Sequence, residues 1–355
     1  MVEIEIQERI RGRTTMARYR VGLIGCGWVS GEHIAAYQNN PFTDVVALAS
    51  KTKEEARQKA EECGVAAHYY DNIDEMLETE KLDIVSITSP PNFHVHHAIR
   101  AAESGAQIVL EKPIALEKEQ LHRLVECIET NHTKSIVSFV LRWNPLFTMI
   151  RSMLDDHLVG EVFYGEVDYY HGIGPWYGQF EWNKTKLAGG NSLLSAGCHA
   201  VDALVWFMGG RVREVHAYSV RSKAVEYQPY EYDPTIVTLL KFEDGRIGKV
   251  TSSIECKSPY MFPIRLFGSK GTIKDNQLFS DKLPGQTGFA SIPTILPDSG
   301  DVTHHPFRGE INHFVDCLEK GIDSTVPIAY AAHIMEICLA AEESANSGKS
   351  VSLPL

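Results

Sequence analysis

The sequence predicts an α/β protein in which a doubly wound parallel sheet is followed by a second α/β domain containing a large, mostly antiparallel open sheet. Two observations support this prediction. From residue 19 to about residue 141, short runs rich in β-branched residues alternate with helical patterns, as in parallel sheets covered by helices on both faces. After residue 141 the strand-like runs become longer and are joined by hairpin turns, which is typical of antiparallel pairing.

In the first part of the chain, strands and helices alternate without a break. Pro41 ends the first helix, and Gly64 stands at the C-terminal stop of the second. The predicted strands are 19–25, 44–50, 82–90, 106–113 and 135–142, and the predicted helices are 30–40, 53–64, 92–105 and 116–131.

The second part contains long strand-like segments and a long irregular one. Hairpin turns are predicted at Asp244-Gly245 and Lys270-Gly271. Segment 281–306 is rich in Pro, Gly, Ser and Thr and is interpreted as a long loop, a feature that is often functional. The predicted strands are 161–171, 213–220, 235–255 and 262–275, and the closing helices are 307–320 and 328–347.

These patterns divide the chain into a tail (1–18), a dinucleotide-binding domain (19–141) and a substrate-binding and oligomerisation domain (142–355). The tail has no apolar face to bury. It is interpreted as a frayed end or a matter of start-site choice, with Met16 as an alternative start, or as an arm that reaches a neighbouring subunit.

Composition excludes several classes of protein. The formal net charge of −12 argues against nucleic-acid binding, which usually requires a basic face. No apolar run of membrane-spanning length is present, and the first twenty residues lack a hydrophobic signal core. The seven cysteines are scattered without a C-x-x-C pair, as in reduced cytosolic proteins. We therefore expect a cytoplasmic enzyme without a metal centre.

The segment GLIGCGWVSGEH predicts a dinucleotide site. Gly25-x-Gly27-x-x-Ser30 follows the first strand and opens the first helix. The first glycine permits the tight turn, the second lets a pyrophosphate approach the backbone, and the helix N-terminus, with Trp28 and Val29, supplies N–H donors. A glycine-rich turn without a ligand is the alternative.

The end of the second strand bears on the choice between NAD and NADP. An acid usually stands there to hold the adenosine ribose hydroxyls, but this chain has Ser50-Lys51. A hydroxyl and an ammonium could receive a 2′-phosphate, so the pattern favours NADP slightly over NAD. The alternative is that Lys51 is a solvated lysine at the helix start.

Polar residues also follow the next parallel strand, at the edge where ligands bind in open α/β sheets. Ser89, Pro90, Asn92 and His94 are expected to make capping contacts and to contact the cofactor. His94 and His97 can share a helix face, but two histidines without a third ligand do not make a metal site.

Glu111-Lys112-Pro113 forms a stiff corner after the following strand. Proline fixes its own φ and pushes the preceding residue away from helix, so Lys112 is aimed at the cofactor edge. A lysine held beside a nicotinamide can polarise a hydroxyl or take part in a proton relay. The alternative, a surface ion pair between Lys112 and Glu111, would not need the rigid proline.

A helix near residues 192–208 carries a second polar cluster. Ser195, His199 and Asp202 fall one turn apart and can line one face, while Ser192 is expected to cap the helix. Gly197 is expected to leave open space beside His199, which favours a general base over a buried core histidine.

With GCGWVSGEH, TSPPNFH, EKPIAL, LRWNPLF, GGNSLLSAGCHAVD and GEINHFVDCLEKG in this order, the chain resembles the glucose–fructose oxidoreductase/inositol dehydrogenase (Gfo/Idh/MocA) family over residues 19–355. The resemblance implies a Rossmann domain, a tightly held nicotinamide cofactor, and hydride transfer to or from a sugar or polyol carbon. It implies a homo-oligomer, a dimer or tetramer, built through the C-terminal sheet. The family's lysine falls on Lys112 and its catalytic histidine on His199.

The resemblance also assigns further residues and exposes one departure. It places Arg142 and Trp182 near the cofactor, and His171, Trp176, Ser195 and His305 near the substrate. The family pattern Asp-x-Gly-x-His reads Ser195-Ala196-Gly197-Cys198-His199 here, and a serine supplies no negative charge to an imidazolium. The aromatic residues near Trp176 could stack on a sugar or could form an oligomer surface.

Three functions remain open at this stage. The first is NAD(P)-dependent oxidation of a sugar, glycoside or polyol, or the reverse reduction. The second is a glycosidase-like reaction in which a bound NAD transiently oxidises the sugar so that the glycosidic bond can be eliminated. The third, favoured only by Ser195, is a non-catalytic sugar sensor that holds the cofactor.

Overall fold

The computed structural model describes residues 19–172, 181–297 and 306–355. The predicted tail 1–18, Trp176, His305 and part of the predicted loop 281–306 lie outside these ranges. Within them, the first sheet has six parallel strands in the order β3-β2-β1-β4-β5-β6, the doubly wound Rossmann arrangement. Its strands are β1 (Tyr19–Ile24), β2 (Thr43–Ala49), β3 (His68–Tyr70), β4 (Ile84–Ile87), β5 (Gln107–Leu110) and β6 (Ser135–Val137).

Helices cover both faces of this sheet because each presents an apolar side to it. They are α1 (Trp28–Gln38), α2 (Lys53–Cys63), α3 (Ile73–Glu80), α4 (His94–Glu103) and α5 (Lys118–Thr130). Helix α2 shows the local signals clearly: Thr52 accepts a hydrogen bond from Glu55 N–H at its start, and Gly64 adopts φ 66° at its end.

Three features differ from the predicted elements. The sequence reading missed β3 and α3, because a three-residue strand is too short to show a period and α3 is only eight residues long. The predicted strand 135–142 is shorter, since β6 ends at Val137 and a 3₁₀ turn over Val140–Trp143 follows.

In the described residues the second sheet has nine strands, in the order β14-β13-β12-β11-β7-β10-β9-β8-β15. Pairing is antiparallel except between β7 and β10, so the predicted mostly antiparallel sheet is confirmed. Its strands are β7 (Val162–Tyr170), β8 (Val212–Val220), β9 (Thr235–Phe242), β10 (Ile247–Ser253), β11 (Ile264–Gly268), β12 (Gly271–Lys274), β13 (Gln277–Ser280), β14 (Ala290–Ser291) and β15 (Val351–Ser352). The β11–β12 turn is Ser269-Lys270, one residue earlier than predicted.

Helices pack on one face of this second sheet, and the last of them connect it to the Rossmann sheet. They are α6 (Pro145–Asp155), α7 (Lys186–Gly189), α8 (Cys198–Met208), α9 (Phe307–Lys320) and α10 (Ile328–Ser347). Both closing helices have the predicted bounds. Helix α9 contacts α1, and the Val137 amide donates to the Val326 carbonyl at 2.9 Å, so the C-terminal segment rests against the Rossmann sheet. None of the described helices combines the length and apolar composition needed to cross a bilayer.

Candidate active site

A cleft of about 920 Å³ opens at the carboxyl ends of the parallel strands and extends to the inner face of the second sheet. Most of the predicted site residues line it: Gly25, Gly27, Trp28, Val29, Ser50, Lys51, Ser89, Pro90, His94, Glu111, Lys112, His171, Trp182, Ser195 and His199. The structure does not bring Asn92 or Arg142 to the cleft. Trp176 and His305 lie outside the described residues.

The glycine turn is shaped by close backbone packing. Gly25 adopts φ +100°, and a Cβ there would lie 2.5 Å from the backbone nitrogen of Ser89, so only glycine fits. Gly27 has open space where a Cβ would be, which leaves room for a ligand. Ser30, at the usual third glycine, is buried and donates its hydroxyl hydrogen to the Gly27 carbonyl at 2.6 Å. The serine thus stabilises the turn.

At the far end of the cleft, the hydroxyl of Ser50 donates a hydrogen bond to the carboxylate of Glu55 at 2.8 Å. Glu55 also lines the cleft, although it lies six residues beyond the end of β2 at Ala49. The strand end itself carries no acid, as the sequence shows, but the first turn of α2 brings a carboxylate back to Ser50.

His94 connects two loops of the cleft. Its ring nitrogens lie 2.7 Å from the carbonyl oxygens of Ser89 and Pro113. Burial lowers the pKa of His94, whereas the two carbonyl contacts favour the protonated ring. His94 therefore braces the loop after β4 against the Lys112 corner, and it is almost fully buried where it borders the cleft.

Behind the Lys112 corner lies a buried polar chain. Glu111 contacts His33 Nε2 at 3.0 Å, and His33 Nδ1 lies 2.9 Å from the Ser86 hydroxyl. Burial alone would raise the pKa of Glu111, but the hydrogen bond and charge of His33 and the charge of Lys112 hold it below its usual value. Glu111 is thus paired mainly with His33, and Lys112 is free to extend into the cleft.

The Lys112 ammonium crosses the cleft to the helix that carries His199. It donates a hydrogen bond to the Ser195 carbonyl at 3.0 Å. This carbonyl lies in a π-helical turn over Leu193–Gly197, and turns of this type are frequent at functional sites. The Ser195 hydroxyl is buried and has no hydrogen-bond partner among the described residues.

Two expectations about this helix were wrong. Gly197 does not leave open space, because a Cβ there would lie 2.5 Å from the Ser252 side chain and block packing on β10. Ser192 makes no capping hydrogen bond; instead the Asn191 side chain accepts from Leu194 N–H at 2.9 Å. Glycine at 197 is therefore required for helix–sheet packing.

His199 and His171 line the same cleft as Lys112. His199 is 6% exposed and packs edge-on against Phe139, with ring centroids 5.9 Å apart. Burial lowers the pKa of His171, and the positive charge of Lys112 lowers it further. Both effects favour the neutral imidazole of His171, the form that can accept a hydrogen bond.

Arg142 and Asp202 form a buried ion pair outside the cleft. Arg142 Nε and Nη2 donate to the two Asp202 oxygens at 2.9 and 2.6 Å. The guanidinium also lies over the rings of Trp206 and Tyr330, at 4.8 and 4.6 Å. Asp202 therefore turns away from Ser195 and His199, and the pair joins the segment after β6 to α8.

Sequence reasoning did not select several residues that line the cleft, among them Glu55, Tyr169 and Phe307. Tyr169 lies in β7, two residues before His171, which directly follows the strand, and this two-residue spacing is a signal that the alternation of a strand makes available. Phe307 comes from α9 and packs against His33 with ring centroids 5.1 Å apart. No sequence signal links Phe307 to the cleft, because more than 160 residues separate α9 from β6.

A Rossmann sheet whose open glycine turn and Lys112 line one cleft together with His199 is typical of a dinucleotide-dependent oxidoreductase. The model of an oxidoreductase family with an NAD-binding Rossmann fold matches residues 19–139, and the GFO/IDH/MocA C-terminal domain model matches residues 147–274. The chain belongs to the Gfo/Idh/MocA oxidoreductase family.

Similar proteins span nearly the whole chain. The scyllo-inositol 2-dehydrogenase (NAD(+)) of Bacillus subtilis is 26% identical over 94% of this chain and 96% of its own length. The D-apiose dehydrogenase of Paraburkholderia graminis is 24% identical over 96% and 91%. The structure of levoglucosan dehydrogenase in complex with NADH and levoglucosan superposes with a TM-score of 0.84 at 20% identity, covering 95% of this chain and all of that one.

Proposed function

We propose that this protein transfers a hydride between a nicotinamide dinucleotide, NAD or NADP, and the hydroxyl-bearing carbon of a sugar, glycoside or polyol. The observation that carries the proposal is the Lys112 ammonium, held 3.0 Å from the Ser195 carbonyl in the same cleft as His199 and the glycine turn. The substrate class is supported by the relatives, which are named as inositol and apiose dehydrogenases.

Different residues along the cleft would bind different parts of the cofactor. Gly25, Gly27 and the N-terminus of α1 would hold the pyrophosphate, with Ser50 and Lys51 at the adenosine ribose. When bound, the nicotinamide supplies the acceptor or donor of the hydride. Trp182 lines the same cleft and can cover the cofactor.

Lys112 and His199 would move the proton. As the carbonyl forms, the substrate hydroxyl loses its proton, so a base must lie within hydrogen-bond reach of that oxygen. Lys112 orients the hydroxyl while His199 accepts the proton, and His171 contacts a neighbouring hydroxyl. Ser195 carries no carboxylate at the position of the family aspartate, and its buried hydroxyl has no hydrogen-bond partner among the described residues.

Variants at the two proton-handling residues test this proposal. Lys112→Met and His199→Asn should each reduce kcat by about 10²–10⁴-fold, because general acid–base help is typically of that size. Cofactor affinity by titration calorimetry should change little. Lys118→Met, an exposed lysine at the start of α5, is the matched control and should keep wild-type turnover.

The readout is the absorbance of reduced nicotinamide with a panel of inositols, pentoses and glycosides. Near-wild-type turnover in His199→Asn would remove the histidine from the mechanism. Cleaved glycoside without accumulating reduced cofactor would indicate the elimination reaction instead, and cofactor binding without any turnover would indicate a sensor.

We also propose a homo-oligomer, a dimer or tetramer, that buries the outer face of the second sheet. This face exposes apolar side chains on β8, β9 and β10, among which Tyr218 and Val237 are direct cross-strand neighbours, and exposed apolar patches mark interaction sites. The residues are Tyr218, Val220, Val237, Leu239 and Ile247. Leu239→Lys should lower the mass measured by light scattering, and an unchanged mass would contradict this interface.

A cytoplasmic location is the remaining part of the proposal. It is supported by the seven cysteines, all of which are free thiols, as is usual in a reducing compartment. Fractionation of the native host with a cytoplasmic marker would test it.

A further inference from the structure

The adenosine end of the cleft carries a carboxylate that does not come from the strand end. β2 stops at Ala49, and Ser50 and Lys51 occupy the positions where an acid usually holds the ribose hydroxyls. Glu55, the third residue of α2, lines the cleft beside them. A glutamate reaching back from a helix can take the place of a strand-end acid because its side chain is longer than that of aspartate.

Two hydrogen bonds hold Glu55 in this position. Its backbone N–H donates to the Thr52 hydroxyl at 3.1 Å, which caps α2. Its carboxylate accepts from the Ser50 hydroxyl at 2.8 Å. The first turn of a helix also favours a negative charge. The carboxylate therefore faces the cleft in a defined geometry before any ligand arrives.

The charges around Glu55 add up to a negative site. Lys51 is exposed and is in no described ion pair, whereas the Lys59 ammonium is already paired with Glu62 at 2.7 Å. Asp71 also lines this end of the cleft. Three carboxylates thus face two ammonium groups. A 2′-phosphate would enter beside like charge, while the vicinal hydroxyls of an unphosphorylated ribose could both donate to Glu55.

We propose that Glu55 is the specificity-determining residue that selects NAD over NADP in this protein. The inference rests on the proposed function, since it concerns the cofactor of the same cleft. It reverses the slight preference for NADP that Ser50-Lys51 suggested, because Glu55 engages Ser50 and outweighs the single lysine. Glu55 acts on the adenosine ribose alone and leaves the reacting end of the cleft unchanged.

Titration calorimetry of the full chain with NAD and with NADP, at one fixed ionic strength, tests the proposal. The wild type should bind NAD about 10- to 100-fold more tightly, the range expected for one charge-assisted hydrogen bond. Glu55→Gln should lose most of this ratio, chiefly by gaining affinity for NADP, and Glu55→Lys should invert it. Melting temperatures of the variants establish that they are folded.

Glu54→Gln is the matched control, because Glu54 is the neighbouring exposed glutamate, pairs with Arg57 and does not line the cleft. It should leave both affinities as in the wild type. A wild-type preference for NADP, or an unchanged ratio in Glu55→Gln, would overturn the assignment of Glu55 while leaving the proposed function intact. Failure of the wild type to bind either dinucleotide would instead overturn the proposed function, and this inference with it.

Discussion

The buried ion pair between Arg142 and Asp202 leads to a sharp prediction about stability. Their side chains are only 5% and 3% exposed, and the two groups make two direct hydrogen bonds. Asp202→Asn keeps the shape of the side chain but removes its charge. The guanidinium then remains buried against Trp206 and Tyr330 without a counter-ion. An uncompensated buried charge of this kind is strongly destabilising.

Loss of one partner of a buried pair costs about 3–5 kcal/mol. Unfolding entropy of about 2 cal/mol/K per residue converts this cost into a melting temperature lowered by about 4–7 °C for a chain of this length. Scanning calorimetry of Asp202→Asn and wild type in the same buffer measures the shift. Turnover per folded molecule below the transition should stay within a few-fold, because Asp202 is turned away from the cleft.

The double variant Arg142→Met/Asp202→Leu is the control. Removing both charges leaves no unpaired group, so most of the lost stability should return. A shift below about 1 °C in Asp202→Asn, equivalent to less than about 0.7 kcal/mol, would refute the reasoning. So would a double variant that is less stable than the single one.

Two further predictions concern the glycine turn and a buried acid. Gly27→Val should keep the wild-type melting temperature, because its Cβ meets open space, but should lose dinucleotide affinity in calorimetry. Gly25→Ala should lower the melting temperature, because its Cβ would strike Ser89. A stable Gly25→Ala variant together with a destabilised Gly27→Val variant would contradict the geometry. Burial, and then the charge of Glu111, raise the pKa of Glu310 well above its usual 4.5. The folded state therefore retains a proton that the unfolded chain releases, and stability falls as pH rises above 4.5. In urea unfolding from pH 5 to 8, Glu310→Gln should remove this loss, up to about 1.4 kcal/mol per pH unit, and parallel curves for both proteins would show that Glu310 is not held neutral.

Much of the architecture follows from local patterns. The strand–helix alternation predicted the Rossmann sheet, and the bounds of α9 and α10 agree with the structure. Gly25 and Lys112 were predicted to lie at the cleft because the carboxyl ends of parallel strands share one edge. Helix α3 was not predicted because its eight residues offer too little periodicity to distinguish a helix from a loop.

The sequence by itself determined the fold class, the glycine turn and the approach of Lys112 to the cleft, because these depend on periodicity and on backbone geometry within a few residues. Only the tertiary structure decided the partners of the charged side chains. Arg142 pairs with Asp202 across 60 residues, and Glu55 returns to Ser50 because α2 folds back along β2. Such pairings depend on distances between elements, and spacing along the chain does not contain those distances.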